Sequence, residues 1–97
     1  MYGTVARMRL KAGAEATIQA LQKEYEGLKV PGAIATYIYR MDANPQEYYM
    51  ATVWESKEAY VANANSPEQH ARYLKMVDLL DGAPEWHDGE IVSSSQY

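Results

Sequence analysis

Apolar positions along this chain change rhythm several times, from a two-residue step to steps of three and four and back again. Over Tyr2 to Leu10 the residues Val5, Met8 and Leu10 mix with Thr4, Arg7 and Arg9, which predicts a strand with one face largely covered. Lys11-Ala12-Gly13 ends it. From Ala14 to Leu28 the residues Ala14, Ile18, Leu21, Tyr25 and Leu28 fall on one stripe, with Glu15, Gln19, Gln22, Lys23 and Glu26 elsewhere, predicting a helix that lies on a sheet. Val30-Pro31-Gly32 is a turn. Ala33 to Met41 alternates Ala33, Ala35, Tyr37, Tyr39 against Ile34, Thr36, Ile38, Arg40, and neither set is polar throughout. The Asp42-Ala43-Asn44-Pro45 tip joins this strand as a hairpin to a third strand, Gln46 to Trp54, again with two apolar sets.

A short helix capped by Ser56 follows, and then a longer one capped by Ser66, with Pro67 in its first turn and Gln69 completing a capping-box pattern. The stripe of the longer helix is His70, Tyr73, Leu74, Val77 and Leu80, so an imidazole belongs to its inward face. Asp81-Gly82 closes it, with Pro84 beyond as a stop. A last strand runs from about Glu85 to Ser93, alternating Trp86, Asp88, Glu90 with His87, Gly89, Ile91, and residues 94–97 form a polar tail expected to fray. The order is βαββαβ in a single α+β domain, residues 1–97, which suits a four-stranded antiparallel sheet with helices on one side, the ferredoxin-like plan. Helices cover one sheet face only. The apolar positions on the other face of strands two and three predict a second cover, most simply another copy of the chain, hence a homodimer through the sheet face.

Composition narrows the chemistry. The chain has no Phe but nine Tyr and two Trp, so much of its aromatic surface carries a polar end that needs water, a partner or a ligand. Thirteen acidic residues against nine basic ones, with no basic cluster, disfavour nucleic-acid binding. The absence of Cys removes disulfides and thiolate chemistry and suits a reducing, cytoplasmic setting. No signal-peptide pattern and no membrane-length apolar run occurs. Two His and no Cys predict no dedicated metal site. There is no Gly-rich phosphate loop and no nucleophile elbow.

Candidate residues concentrate between Tyr48 and Leu80, where one segment carries Trp54, His70 and Tyr73 towards a common interior. An imidazole on the sheet-facing side of a helix serves as a base or orients a ligand; its structural alternative is a histidine at the rim, bonded to backbone or water. Trp54 is either a wall for a planar ring or core packing. Tyr73, one turn from His70, is within reach of a shared hydrogen bond. Tyr37, Tyr39 and Tyr49 are expected at the pocket or the dimer contact. Arg40 either orients a ligand or pairs with an acidic residue on the neighbouring strand. Asp88 is next to His87 but points to the opposite face.

The Met1–Gly13 opening, Val30-Pro31-Gly32-Ala33, Tyr39-Arg40, and Val53-Trp54-Glu55-Ser56-Lys57-Glu58-Ala59-Tyr60 with Ser66-Pro67 resemble the antibiotic biosynthesis monooxygenase domain. That resemblance implies a dimeric α+β barrel with a pocket between helices and sheet in each monomer. It implies reactions ranging from cofactor-independent oxygenation of anthrones and quinols to haem degradation. The haem-degrading branch has an Asn on strand one and a His ligand on the helix after strand three; here these positions hold Ala6 and Tyr73, with Trp54 alone matching. The expectation is therefore a cofactor-free, monooxygenase-like enzyme acting on a small electron-rich aromatic, with His70, Tyr73 and Trp54 as catalytic candidates. Its first alternative is a non-catalytic dimeric domain that binds a small apolar ligand; below it stand a structural dimer whose pocket its own side chains fill, and a haem-degrading enzyme with His70, one turn from the Tyr73 position, as a shifted ligand.

Overall fold

The first strand holds the centre of the sheet, because both of its edges are paired. A computed structural model describes all residues from Met1 to Tyr97. Its elements are β1 (Tyr2–Arg9), α1 (Glu15–Gly27), β2 (Ala33–Arg40), β3 (Glu47–Trp54), α2 (Lys57–Ala64), α3 (Pro67–Val77) and β4 (Glu85–Glu90). The strands lie in the order β2-β3-β1-β4, every neighbouring pair antiparallel, as the ferredoxin-like reading expects.

Register decides which side chains meet. Opposite Thr4, Ala6 and Met8 on β1 lie Thr52, Met50 and Tyr48 of β3; Asp88 and Trp86 of β4 lie opposite Thr4 and Ala6. This row faces the helices. Its core is Ala6, Met8, Leu10, Tyr48 and Met50 packed with Ala14, Ile18 and Leu80. The chain ends of this layer are tied together as well: Lys11 donates its backbone N–H to Leu79, and Asp81 donates to Arg9. The opposite row, with Val5, Tyr37, Tyr39, Tyr49, Ala51 and Val53, has no helix over it. On it Val5, Tyr37 and Tyr39 are 48%, 56% and 54% exposed.

Local chemistry accounts for the helix starts. Ser56 Oγ accepts from Ala59 N–H and Ser66 Oγ from Gln69 N–H, both at 3.1 Å. The capping box is only half made, since the Gln69 amide oxygen accepts from Arg72 instead of reaching back. Several boundaries are shorter than the pattern predicted. Helix α3 ends at Val77, and β4 ends at Glu90, three residues before the expected end. Leu74 and Leu28, assigned to inward stripes, are each 52% exposed. Leu28 is the residue that caps the end of α1, just before Lys29, whose φ of 49° breaks the helical path. α3 meets the rest of the fold through Met76, which packs on the core, and Tyr73, which leans on Trp86 of β4, and Leu74, one residue on from Tyr73, points off that line by the 100° of a helical step.

Candidate functional site

Two openings flank the core on the helix side. The first is a pocket of about 440 Å³ between the sheet and all three helices, within the range of small-ligand sites. Trp54, at the end of β3, forms part of its wall; so do Tyr73 and His70 on α3, Tyr60 on α2 and Trp86 on β4. The residues that the sequence places in one interior therefore do border one cavity. Their surroundings differ. Trp54 is only 4% exposed and meets the Tyr60 ring edge-on at 5.9 Å. Tyr73 leans on Trp86 with ring centres 6.3 Å apart. His70 is an exposed residue of the first turns of α3, so it stands at the mouth, and no hydrogen bond joins it to Tyr73.

The polar end of the pocket was not anticipated from sequence. Tyr60 donates to Asp88 Oδ1 at 2.9 Å. Burial, and then the hydrogen bond to the Asp88 carboxylate, push the Tyr60 phenol up to about 12, so it stays protonated. Beside it Thr4 is 4% exposed, and its fully enclosed Oγ1 lies close enough to the Tyr60 hydroxyl to oppose part of that rise. The signals were present in outline: Tyr60 stands four residues after the Ser56 cap, and Asp88 shares its strand face with Trp86. What the pattern lacked was the pairing that puts β4 beside β1 under α2. His87, as alternation requires, lies on the other face and pairs with Glu85 at 2.8 Å.

Tyr37, Tyr39, Tyr49 and Arg40 do not border this pocket. The three tyrosines belong to the uncovered sheet face by register. Arg40, with Tyr37 from the edge strand, lines the second opening, a wider groove of about 970 Å³ between α1 and the β2 edge. There its acidic partner is a helix residue and not the strand neighbour expected: Arg40 Nη1 donates to Glu15 Oε1 at 2.6 Å, and Tyr48 donates to the same oxygen at 2.8 Å. The reason is topological. β2 is an edge strand whose one neighbour places Tyr48 opposite Arg40, so the guanidinium reaches up to α1. The two donors hold the Glu15 carboxyl below its ordinary range, Tyr48 first and Arg40 second.

No three side chains among His, Cys, Asp and Glu converge anywhere in the chain, and no helix is long and apolar enough to cross a membrane. Ala6, at the position matched to the haem-degrading Asn, is fully buried in the core, where a methyl offers packing and no hydrogen bond.

Comparison with known proteins gives the fold company. SnoaB, a cofactor-independent oxygenase from Streptomyces nogalater, superposes with a TM-score of 0.80 at 16% identity, over 96% of this chain and 94% of its own. A conserved protein from Methanosarcina mazei Go1 gives 0.76 at 21% identity over 91% and 89%. Rv0793 from Mycobacterium tuberculosis gives 0.75 at 14% identity over 98% of each chain. No curated protein matches the sequence. At these identities the likeness is one of fold, but the family described as antibiotic biosynthesis monooxygenase matches residues 1–73, most of the elements that build the pocket, and the chain belongs to that family.

Proposed function

We propose that this protein is a cofactor-independent monooxygenase-like enzyme acting on a small electron-rich aromatic of the quinol or polyketide type. The observation that carries this reading is the joint bordering of one 440 Å³ pocket by Trp54, Tyr73 and His70. Family membership supports the reaction class, and the same fold houses a cofactor-independent oxygenase in SnoaB. The chemistry asks little of the protein. Removal of a proton from an anthrone-type CH₂ leaves a delocalised anion able to pass one electron to O₂. Recombination of the radical pair forms a C–O bond, and loss of water from the hydroperoxide leaves the carbonyl, so R₂CH₂ and O₂ give R₂C=O and H₂O. In this reading His70 takes the proton at the mouth, Tyr73 donates to a substrate oxygen, and Trp54 walls the ring; the Tyr60 oxygen, its own proton given to Asp88 in a hydrogen bond, accepts from a hydroxyl at the ring's far end. A positioned base is worth on the order of 10²–10⁴ in rate.

The test is oxygen uptake with hydroquinones, naphthalenediols and anthrones by wild type, His70→Ala and Trp54→Phe. The expected result is uptake by wild type that falls at least tenfold in His70→Ala, with stability within about 0.5 kcal/mol because the residue is exposed. Undiminished turnover in His70→Ala removes the base role. No uptake above the protein-free rate by wild type, together with ligands that raise the melting temperature, favours the second reading, a binding domain without turnover. The rimward position of His70 is the observation on that side. In either case we infer a homodimer in which a second copy covers the open sheet face.

A further inference from the structure

Arg72, on α3, holds its guanidinium 4.8 Å from the centre of the Tyr25 ring. Its Nε donates to Gln69 Oε1 at 3.3 Å and its Nη2 to Asn63 Oδ1 at 3.5 Å, while Asn63 Nδ2 donates to the Tyr25 hydroxyl at 3.3 Å. All four side chains border the 440 Å³ pocket. Each anchor is neutral. Of the chain's four arginines, Arg7, Arg9 and Arg40 lie within 4.0 Å of Glu47, Asp81 and Glu15, and Arg72 alone has no carboxylate at that distance. In a chain of net charge −4, this leaves a half-buried cation oriented on three sides and neutralised on none.

The other charges of the pocket do not change the sign of that edge. Asp88 is engaged by Tyr60, Glu24 lies beyond ion-pair distance of the guanidinium, and Lys75 adds a second cation to the same lining. A guanidinium stacked on a ring has already lost its side-chain freedom, so an incoming anion does not have to order it again. Its Nη1 has no partner in the chain.

We propose that the aromatic bound in this pocket carries a carboxylate, which Arg72 receives through its free amino edge. This rests on the aromatic-pocket reading above but not on the oxygen chemistry. Charge-assisted bonds of that kind are roughly twice as strong as neutral ones, and they set a preference that a neutral ester of the same ring cannot share.

Calorimetric binding under anaerobic conditions tests it, using gentisate, a dihydroxynaphthoate and the methyl ester of each. Wild type is expected to bind each acid at least tenfold more tightly than its ester. Arg72→Gln should bring that ratio to about one, and Arg72→Lys should keep part of it. The wild-type ratio does not depend on any variant folding. A ratio near one in wild type, a ratio undisturbed by Arg72→Gln in a folded protein, or no binding of either form at millimolar concentration overturns the proposal. Admitting air then separates the two readings. Preference for the acids without oxygen uptake keeps the carboxylate site and removes the oxygenase; uptake of neutral quinols with no preference for acids does the reverse.

Discussion

Glu15 accepts from a buried phenol and an exposed guanidinium on one oxygen, and that arrangement ties α1 to the β2–β3 pair at a single point. Its carboxyl is held below the ordinary value, chiefly by the hydrogen bond from Tyr48, so the folded state favours the ionised form. The sign follows from linkage: a depressed carboxyl stabilises above its unfolded value and loses that contribution as pH falls through the folded one. The melting-temperature difference between wild type and Glu15→Gln should therefore be largest near neutrality and shrink below about pH 4. A difference that stays constant down to pH 3 would show that the ionised form has no special support. Tyr60 carries the opposite lesson. Its raised value, about 12, keeps a proton on the pocket's phenol throughout the physiological range. Sequence named Glu15 only as a polar position of a helix, and it did not single out Tyr60, because each partner lies at least 25 residues away along the chain.

At the level of elements, the junction between β2 and α2 shapes the pocket more than any cap. Gly32 has φ +81°, a conformation that side chains rarely adopt, and a Cβ placed on it would sit 2.5 Å from Ala59 Cβ and 3.8 Å from Trp54 Cε3. The turn before β2 thus presses on the helix beside Trp54. Gly32→Ala should destabilise by more than about 1 kcal/mol in chemical denaturation, from strain and crowding together. Adding Ala59→Gly should restore the crowding part and leave the strain. A Gly32→Ala variant as stable as wild type would mean that α2 moves away freely. Turn chemistry made Val30-Pro31-Gly32 legible in the sequence, and cap residues made Ser56 and Ser66 so, since these depend on local backbone geometry alone. The flanks of the stripes were not legible. Leu74 and Leu28 obey the helical spacing and are exposed, because spacing locates a face only to within the angle between adjacent residues.

For the whole molecule, the uncovered sheet face is the feature with the largest consequence. Val5, Tyr37 and Tyr39 are about half exposed on a face that continues through Tyr49, Ala51 and Val53, and a contiguous apolar surface of that kind is usually an interface. With a second copy over it, light scattering at micromolar concentration should return the mass of two chains. Replacing Tyr37 and Tyr39 together by Asp should return one, with the fold retained by far-UV circular dichroism. A wild-type mass of one chain removes the pairing.

The sequence by itself determined the order of elements, their capped starts, the ferredoxin-like class, and the two-sided apolar character of β2 and β3. All of these follow from period, turn chemistry and propensity, which act within a few residues. It also indicated that Trp54, His70 and Tyr73 converge, since one short strand–helix–helix segment carries all three. Only the tertiary structure decided which tyrosines meet the pocket, that Arg40 belongs to Glu15, that Tyr60 donates to Asp88, and that Arg72 has no carboxylate partner. Each of those depends on strand order and register. These bring residues dozens of positions apart to within hydrogen-bond distance, and a single chain's local pattern holds no record of them.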